Sequence, residues 1–187
     1  MEILRSLAGG PLQPAQIEQR VAIARSTMHA RLRELTITGV VLQRERERLP
    51  RLVEYALTDD GRIASARAII THRIQRRQLA PTGYGPDEDL RHVLTLLAPV
   101  TRLRDGVEGT CALLKHRARH EVRLLAQAGR LRPCKNGHRQ TPPIAMIAAT
   151  SAAWDGALLT GRTDDLSISG DHGFAEAVLA AICATMR

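Results

Sequence analysis

Between Ile23 and Thr58 the chain reads IARSTMHARLRELTITGVVLQRERERLPRLVEYALT. Within this stretch the hydrophobic period falls from about 3.6 residues to 2, which few folds accommodate. A helix over Arg25–Thr38 would bury Met28, Leu32 and Leu35, and Gly39 would close it. Strands over Val40–Glu45 and Leu52–Leu57 follow, joined by Arg46-Glu47-Arg48-Leu49-Pro50-Arg51. In the second strand Val53, Tyr55 and Leu57 alternate with Glu54 and Ala56, as on a half-buried strand. The other side of the helix offers Arg25, Ser26, Thr27, His29, Ala30, Arg31 and Arg33. Short residues let a helix backbone approach a groove, and long basic ones reach bases and phosphates. Arg46, Arg48 and Arg51 stand where a wing would meet an adjacent minor groove or phosphates. An arginine-rich turn can also be a solvated hairpin tip. Its place beside such a helix favours DNA contact, whereas His29 is equally a base contact or a merely exposed side chain.

Upstream, Met1–Ala8 and Gln13–Val21 read as short helices separated by Gly9-Gly10-Pro11, with Ile17 and Val21 facing inward. Downstream, Thr58 is a good N-cap, and Asp59 and Asp60 suit the first turn of a helix from Asp59 to Leu79. Its stripe of Ile63, Ala66, Ile70 and Ile74, with Ile69 beside it, is long for so small a domain. Part of it is therefore assigned to a partner chain. Ala80–Pro86 is the clearest linker, and a helix over Asp87–Ala98 follows. Beyond Pro99 the pattern predicts strands at Gly109–Lys115, Glu121–Ala126, Arg130–Pro133, Ile144–Ala149 and Leu166–Ser169. Helices are expected at Ser151–Leu159 and His172–Met186. The chain thus divides into residues 1–80, a link and connecting helix over 81–98, and an α+β part over 99–187.

The formal charge of the 187 residues is +8, and aromatic residues are only 2%. So few rings argue against recognition of single strands by stacking. Residues 1–80 hold 14 Arg and no Lys against eight acidic residues, which suits a polyanion partner. Cys111, Cys134 and Cys183 form no C-x-x-C pair, which predicts reduced thiols and a cytoplasmic location. Neither a signal segment nor a membrane-spanning run is legible.

The N-terminal part resembles the winged helix-turn-helix regulators of the HxlR group, within the wider MarR-like set. The resemblance rests on Ile3-Leu4, Gly10-Pro11-Leu12, Met28–Val41 (MHARLRELTITGVV) and above all Val53–Arg62 (VEYALTDDGR). It implies a dimer that represses from a near-palindromic operator. It would place Arg25, Ser26, Thr27, His29 and Arg33 at the major groove and Arg46, Arg48 and Arg51 on the wing. The sequence departs from the group in two ways. It begins at Met1, within the first helix, so an arm-borne cysteine sensor is not expected and dimerisation passes to Asp59–Leu79. The recognition helix also has Ala24 where a capping Ser is usual, a loss of about 1 kcal/mol unless Ser26 takes over.

The run AAWDGALLTGR…DDLSISGDHGFAEAVLAAI resembles the end of a sterol-carrier-protein-like domain, through Trp154, Leu158, Leu159, Gly161, Leu166, Ile168, Gly170 and Asp171. That resemblance implies a curved sheet with helices over one face and an apolar ligand tunnel, an α/β sandwich. Leu97, Cys111, Leu113, Trp154 and Leu158 are the candidate ligand contacts, although Trp154 is first of all a core anchor.

His116-x-x-x-His120 and Cys134-x-x-x-His138 have metal-ligand spacing. Lys115, Arg117, Arg119 and Lys135 would repel a dication, so no metal is expected. No catalytic constellation or cofactor motif is present, and an enzyme is not expected. The expectation is a homodimeric repressor on double-stranded DNA, released by a small hydrophobic effector, with no membrane partner. Alternatively, the C-terminal part only pairs chains or docks a protein, or the chain is a hydrophobic-ligand carrier with vestigial DNA binding.

Overall fold

The structure, a computed structural model, describes residues 2–46, 52–79, 88–115, 121–134 and 142–187. It divides into two compact units, Met1–Ser65 and Ala66–Arg187.

In the first unit, α1 (Glu2–Leu7), α2 (Pro14–Glu18) and α3 (Arg25–Ile37) precede the antiparallel pair β1 (Val41–Arg46) and β2 (Leu52–Leu57). Its core is Ile3, Leu7, Ile17, Met28, Leu32, Val41 and Leu57, each at most 5% exposed. Leu35, expected beside Met28 and Leu32, is only half-buried. The expected alternation along β2 is also incomplete, because Ala56 is buried and Tyr55 is half-exposed. Leu12 explains part of this. It exchanges backbone hydrogen bonds of 2.9 and 2.8 Å with Tyr55, adding a third chain segment beside β2. The division between the units falls inside α4 (Asp59–Leu79), upstream of the expected link at 80–86, which lies outside the described residues.

The second unit is built on a mixed sheet of order β5-β4-β3-β6-β7. Its strands are β3 (Gly109–Lys115), β4 (Glu121–Gln127), β5 (Arg130–Pro133), β6 (Ala145–Ala149) and β7 (Ser167–Gly170). Only β3 and β6 run parallel. Three helices, α5 (Glu88–Leu97), α6 (Ser151–Thr160) and α7 (His172–Thr185), pack on the sheet. The register puts Cys111, Leu113, Leu124, Ala126, Leu131, Ala145 and Ile147 on one face, and all are at most 1% exposed. The opposite face carries exposed Arg130, Arg132, Met146 and Ser169. The helices therefore cover one face only.

Ala66, Ile69 and Ile70 of α4 are buried within the chain itself, at most 2% exposed. The part of the stripe assigned to a partner chain is thereby reduced to Ile63 and Ile74, which are half-buried. Within the second unit α4 is also held by charge. Arg73 and Arg77 both pair with Asp155 of α6, a residue 2% exposed. Arg67 donates to the carbonyls of Met186 and Arg187. No helix among the described residues is long and apolar enough to cross a membrane.

Candidate nucleic-acid interface

The geometry of α3 is set at its two ends. Ala24 is the N-cap and provides no side-chain cap. Ser26 makes no substitute cap, so the amides of the first turn keep the unsatisfied donors of an open helix start. At the other end Gly39 adopts φ +73°, and the amides of Gly39 and Val40 donate to Thr36 and Leu35 at 3.1 and 3.0 Å. This is a Schellman stop, which needs a residue without a Cβ at the left-handed position.

The junction after β2 then closes against that stop. The Thr58 amide donates to the Val40 carbonyl at 3.1 Å. The Thr58 hydroxyl donates to the Gly39 carbonyl at 2.7 Å and accepts from the Gly61 amide at 2.9 Å. A Cβ at Gly61 would lie 2.0 Å from the Val40 oxygen, so only glycine fits. One threonine and one glycine thus fix the exit of α3 against the entry of α4.

Between these ends α3 buries Met28 and Leu32 completely. Arg25, Ser26, Thr27, Ala30, Arg31 and Arg33 are exposed, and His29 is half-buried. Ser26, Ala30, Arg33 and Ile37 follow one another three or four residues apart, so they share a face. Ile37 is 79% exposed, a large apolar side chain in solvent on the polar face. Sequence reasoning missed it, because it counts isoleucine as core. Arg25 reaches Glu18 at 3.8 Å, but with side chains 74% and 42% exposed the pair leaves the guanidinium free to move.

On the wing, Gln43, Arg44 and Glu45 of β1 are exposed. Arg44, not singled out in the sequence, is thus a further exposed basic side chain on β1, opposite Glu54. Arg46 ends β1 opposite Leu52. Its side chain, and the whole of Arg48 and Arg51, lie outside the described residues. The polar face of α3 is thus described in full, and the tip of the wing lies outside the described residues.

The five candidate ligand contacts lie in the second unit. Leu97, Cys111, Leu113, Trp154 and Leu158 are each at most 1% exposed. None of them lines either hollow bounded by described residues of that unit. One hollow, about 540 Å³, runs along Ala152, Gly156 and Thr160 of α6, and the other, about 470 Å³, lies beside Leu179 and Cys183 of α7. Burial pushes the Cys111 thiol up to about 12. Among the described residues no group of three His, Cys, Asp or Glu side chains could hold a metal ion. His116, His120 and His138 lie outside them.

Residues 1–76 match the HxlR-like helix-turn-helix family. Two solved structures are similar at 25% identity. The diamide-treated YodB from B. subtilis covers 45% of this chain and 79% of its own, with a TM-score of 0.36. A putative transcriptional regulator of the MarR family from Enterococcus faecalis V583 covers 42% and 72%, with a TM-score of 0.38. Both superpose too loosely to carry an argument. No curated protein matches the chain. The family match spans α1 to most of α4, which includes the open helix start, the Schellman stop and the Thr58–Gly61 junction. Residues 1–76 of the chain thus form an HxlR-like helix-turn-helix domain.

Proposed function

We propose that the chain is a repressor that binds an inverted-repeat operator as a dimer, with α3 in the major groove. Ser26, Thr27, His29 and Arg33 read base edges in this reading. The open start of α3, with Arg25, meets a phosphate. Arg44, Arg46, Arg48 and Arg51 neutralise the adjoining backbone. The observation that carries the reading is the exposed Ser26, Ala30 and Arg33 face on a helix stopped at Gly39 and locked to the wing by Thr58. Dimerisation through α4 would use the half-buried Ile63 and Ile74, and the functional boundary is placed near residue 80.

The test is a competition titration on the intergenic DNA beside its own gene. Arg33→Ala is expected to weaken selective binding by about 1–3 kcal/mol, or roughly 5- to 150-fold. Equal affinity for that DNA and for bulk competitor in the unaltered protein would sink the reading.

For the second unit, the packing of Leu97, Cys111, Leu113, Trp154 and Leu158 favours pairing or protein docking over a ligand tunnel. A small hydrophobic effector would have to displace a filled core. Melting the protein with a panel of fatty acids and sterols decides between them. A ligand-dependent rise in Tm would restore the effector reading.

A further inference from the structure

The charge of the second unit is concentrated in one stretch. Residues 115–141 hold eight Lys or Arg and one acidic residue, whereas the rest of residues 81–187 holds five against ten. This piece, which contains both lysines, carries +7, whereas the rest of residues 81–187 carries −5. In the fold it comprises β4, β5 and their flanks.

The strand register gathers its described arginines on the face that the helices leave open. Arg130 and Arg132 alternate along β5, opposite Gln127 and Leu125 of β4, and Arg123 follows on the same face. Arg102 bridges directly to Arg130 from outside β5. Arg102, Arg130 and Arg132 are all exposed, and none has an ion pair among the described residues. Arg123 alone pairs, with Glu121. Like charges directly opposite across strands repel. This pair is nonetheless pinned by a tight turn in which Ala128 and Gly129 have φ of 49° and 68°, and by the Leu103 amide donating to Gly129 at 3.0 Å. The two links whose sequence adds Arg117, Arg119, Lys135 and Arg139 leave from the same end of the sheet: the end of β3, the start of β4 and the end of β5.

We infer that this face is a second DNA-contact surface, in which Arg102, Arg130 and Arg132 hold phosphates of duplex outside the bases that α3 reads. A row of exposed guanidiniums without an ion pair among the described residues suits a phosphate backbone, which requires charge and bidentate donors but no pocket. An acidic protein partner would want an apolar anchor site, and no described hollow is lined by these arginines. The inference rests on the reading that the chain works on DNA, but not on α3 being the reader.

The experiment uses the full chain and a labelled 40-bp duplex of mixed sequence, titrated at several salt concentrations. Three proteins are compared: unaltered, Arg102→Ser/Arg130→Ser/Arg132→Ser, and Arg25→Ala/Arg33→Ala. Losing three phosphate contacts flattens the slope of log affinity against log salt by about 2.7 and lowers affinity at least tenfold at low salt. Lysine at all three positions should restore the slope. Phenylglyoxal labelling of the unaltered protein should find the same arginines protected by duplex, a readout independent of any variant's folding. An unchanged salt slope in the triple variant, or labelling unaffected by duplex, overturns the inference. So does loss of binding to poly-glutamate with duplex binding intact, which would mark a protein-docking face. If the α3 variant binds as the unaltered chain does while the triple variant fails, the sheet surface stands and the α3 reading falls.

Discussion

Thr58 uses one hydroxyl twice, donating to the end of α3 and capping the start of α4. Thr58→Ala should cost about 1–2 kcal/mol of stability, and Thr58→Ser should recover most of it. Gly61→Ala should cost more, since its Cβ would fall 2.0 Å from the Val40 oxygen and backbone must move. Urea denaturation of the three variants checks the order. The motif VEYALTDDGR could be read as a signature, but its cause was not legible, because the partner atoms at Gly39 and Val40 are nearly 20 residues upstream. A second residue-scale prediction concerns Cys111. Burial raises its thiol from 9.0 to about 12. A raised acid favours the folded state as long as it stays protonated. That contribution is therefore complete below about pH 9 and lost as pH climbs through 9 to 12. Cys111→Ala should flatten this part of the stability curve. In native protein near neutral pH, half-buried Cys134 should react with iodoacetamide well before buried Cys111.

At the scale of elements, α4 is the clearest case of a pattern read correctly whose partners were legible only in part. Its apolar stripe predicted the helix Asp59–Leu79. The stripe gave no hint that Ala66, Ile69 and Ile70 are buried within the chain, nor that Arg73 faces inward at 9% exposure. Hydrophobic periodicity counts arginine as solvent-facing. Its acceptor, Asp155, sits 82 residues away on α6, beside the Trp154 that sequence reasoning did notice. Desolvation raises the Asp155 carboxyl above the ordinary range, and Arg73 and Arg77 oppose that shift. Such a buried pair adds little net stability, yet removing one partner strands the other. Asp155→Ala should cost about 3–5 kcal/mol. Asp155→Leu combined with Arg73→Met and Arg77→Met should recover a large part of it. Fluorescence of the chain's single tryptophan, fully buried next to Asp155, follows the unfolding of this unit. Equal stability of Asp155→Ala and the unaltered chain would mean that the ion pair does not hold α4.

At the scale of the whole molecule, local patterning set nearly every strand and helix, because each element has a clear period and turn residues at its ends. The wider arrangement was less legible. Dividing the charge between the two halves placed the excess in residues 1–80, because the +7 of residues 115–141 is masked by an acidic remainder. The pairing of β3 with β6 in parallel, past the intervening β4 and β5, has no local signature either. Nor does the register that sets Arg102 against Arg130. The interior is another such case: an apolar residue on the helix-covered face can line a tunnel or fill a core, and only packing tells them apart. Leu97, Cys111, Leu113, Trp154 and Leu158 are each at most 1% exposed. Nuclease protection of the intergenic DNA beside the gene, with excess competitor duplex, tests base reading by α3. A protected inverted repeat is expected, and it should disappear with Ser26→Ala/Arg33→Ala while the melting temperature stays unchanged. Protection that persists in that variant, or none by the unaltered protein at moderate salt, would contradict base reading by α3.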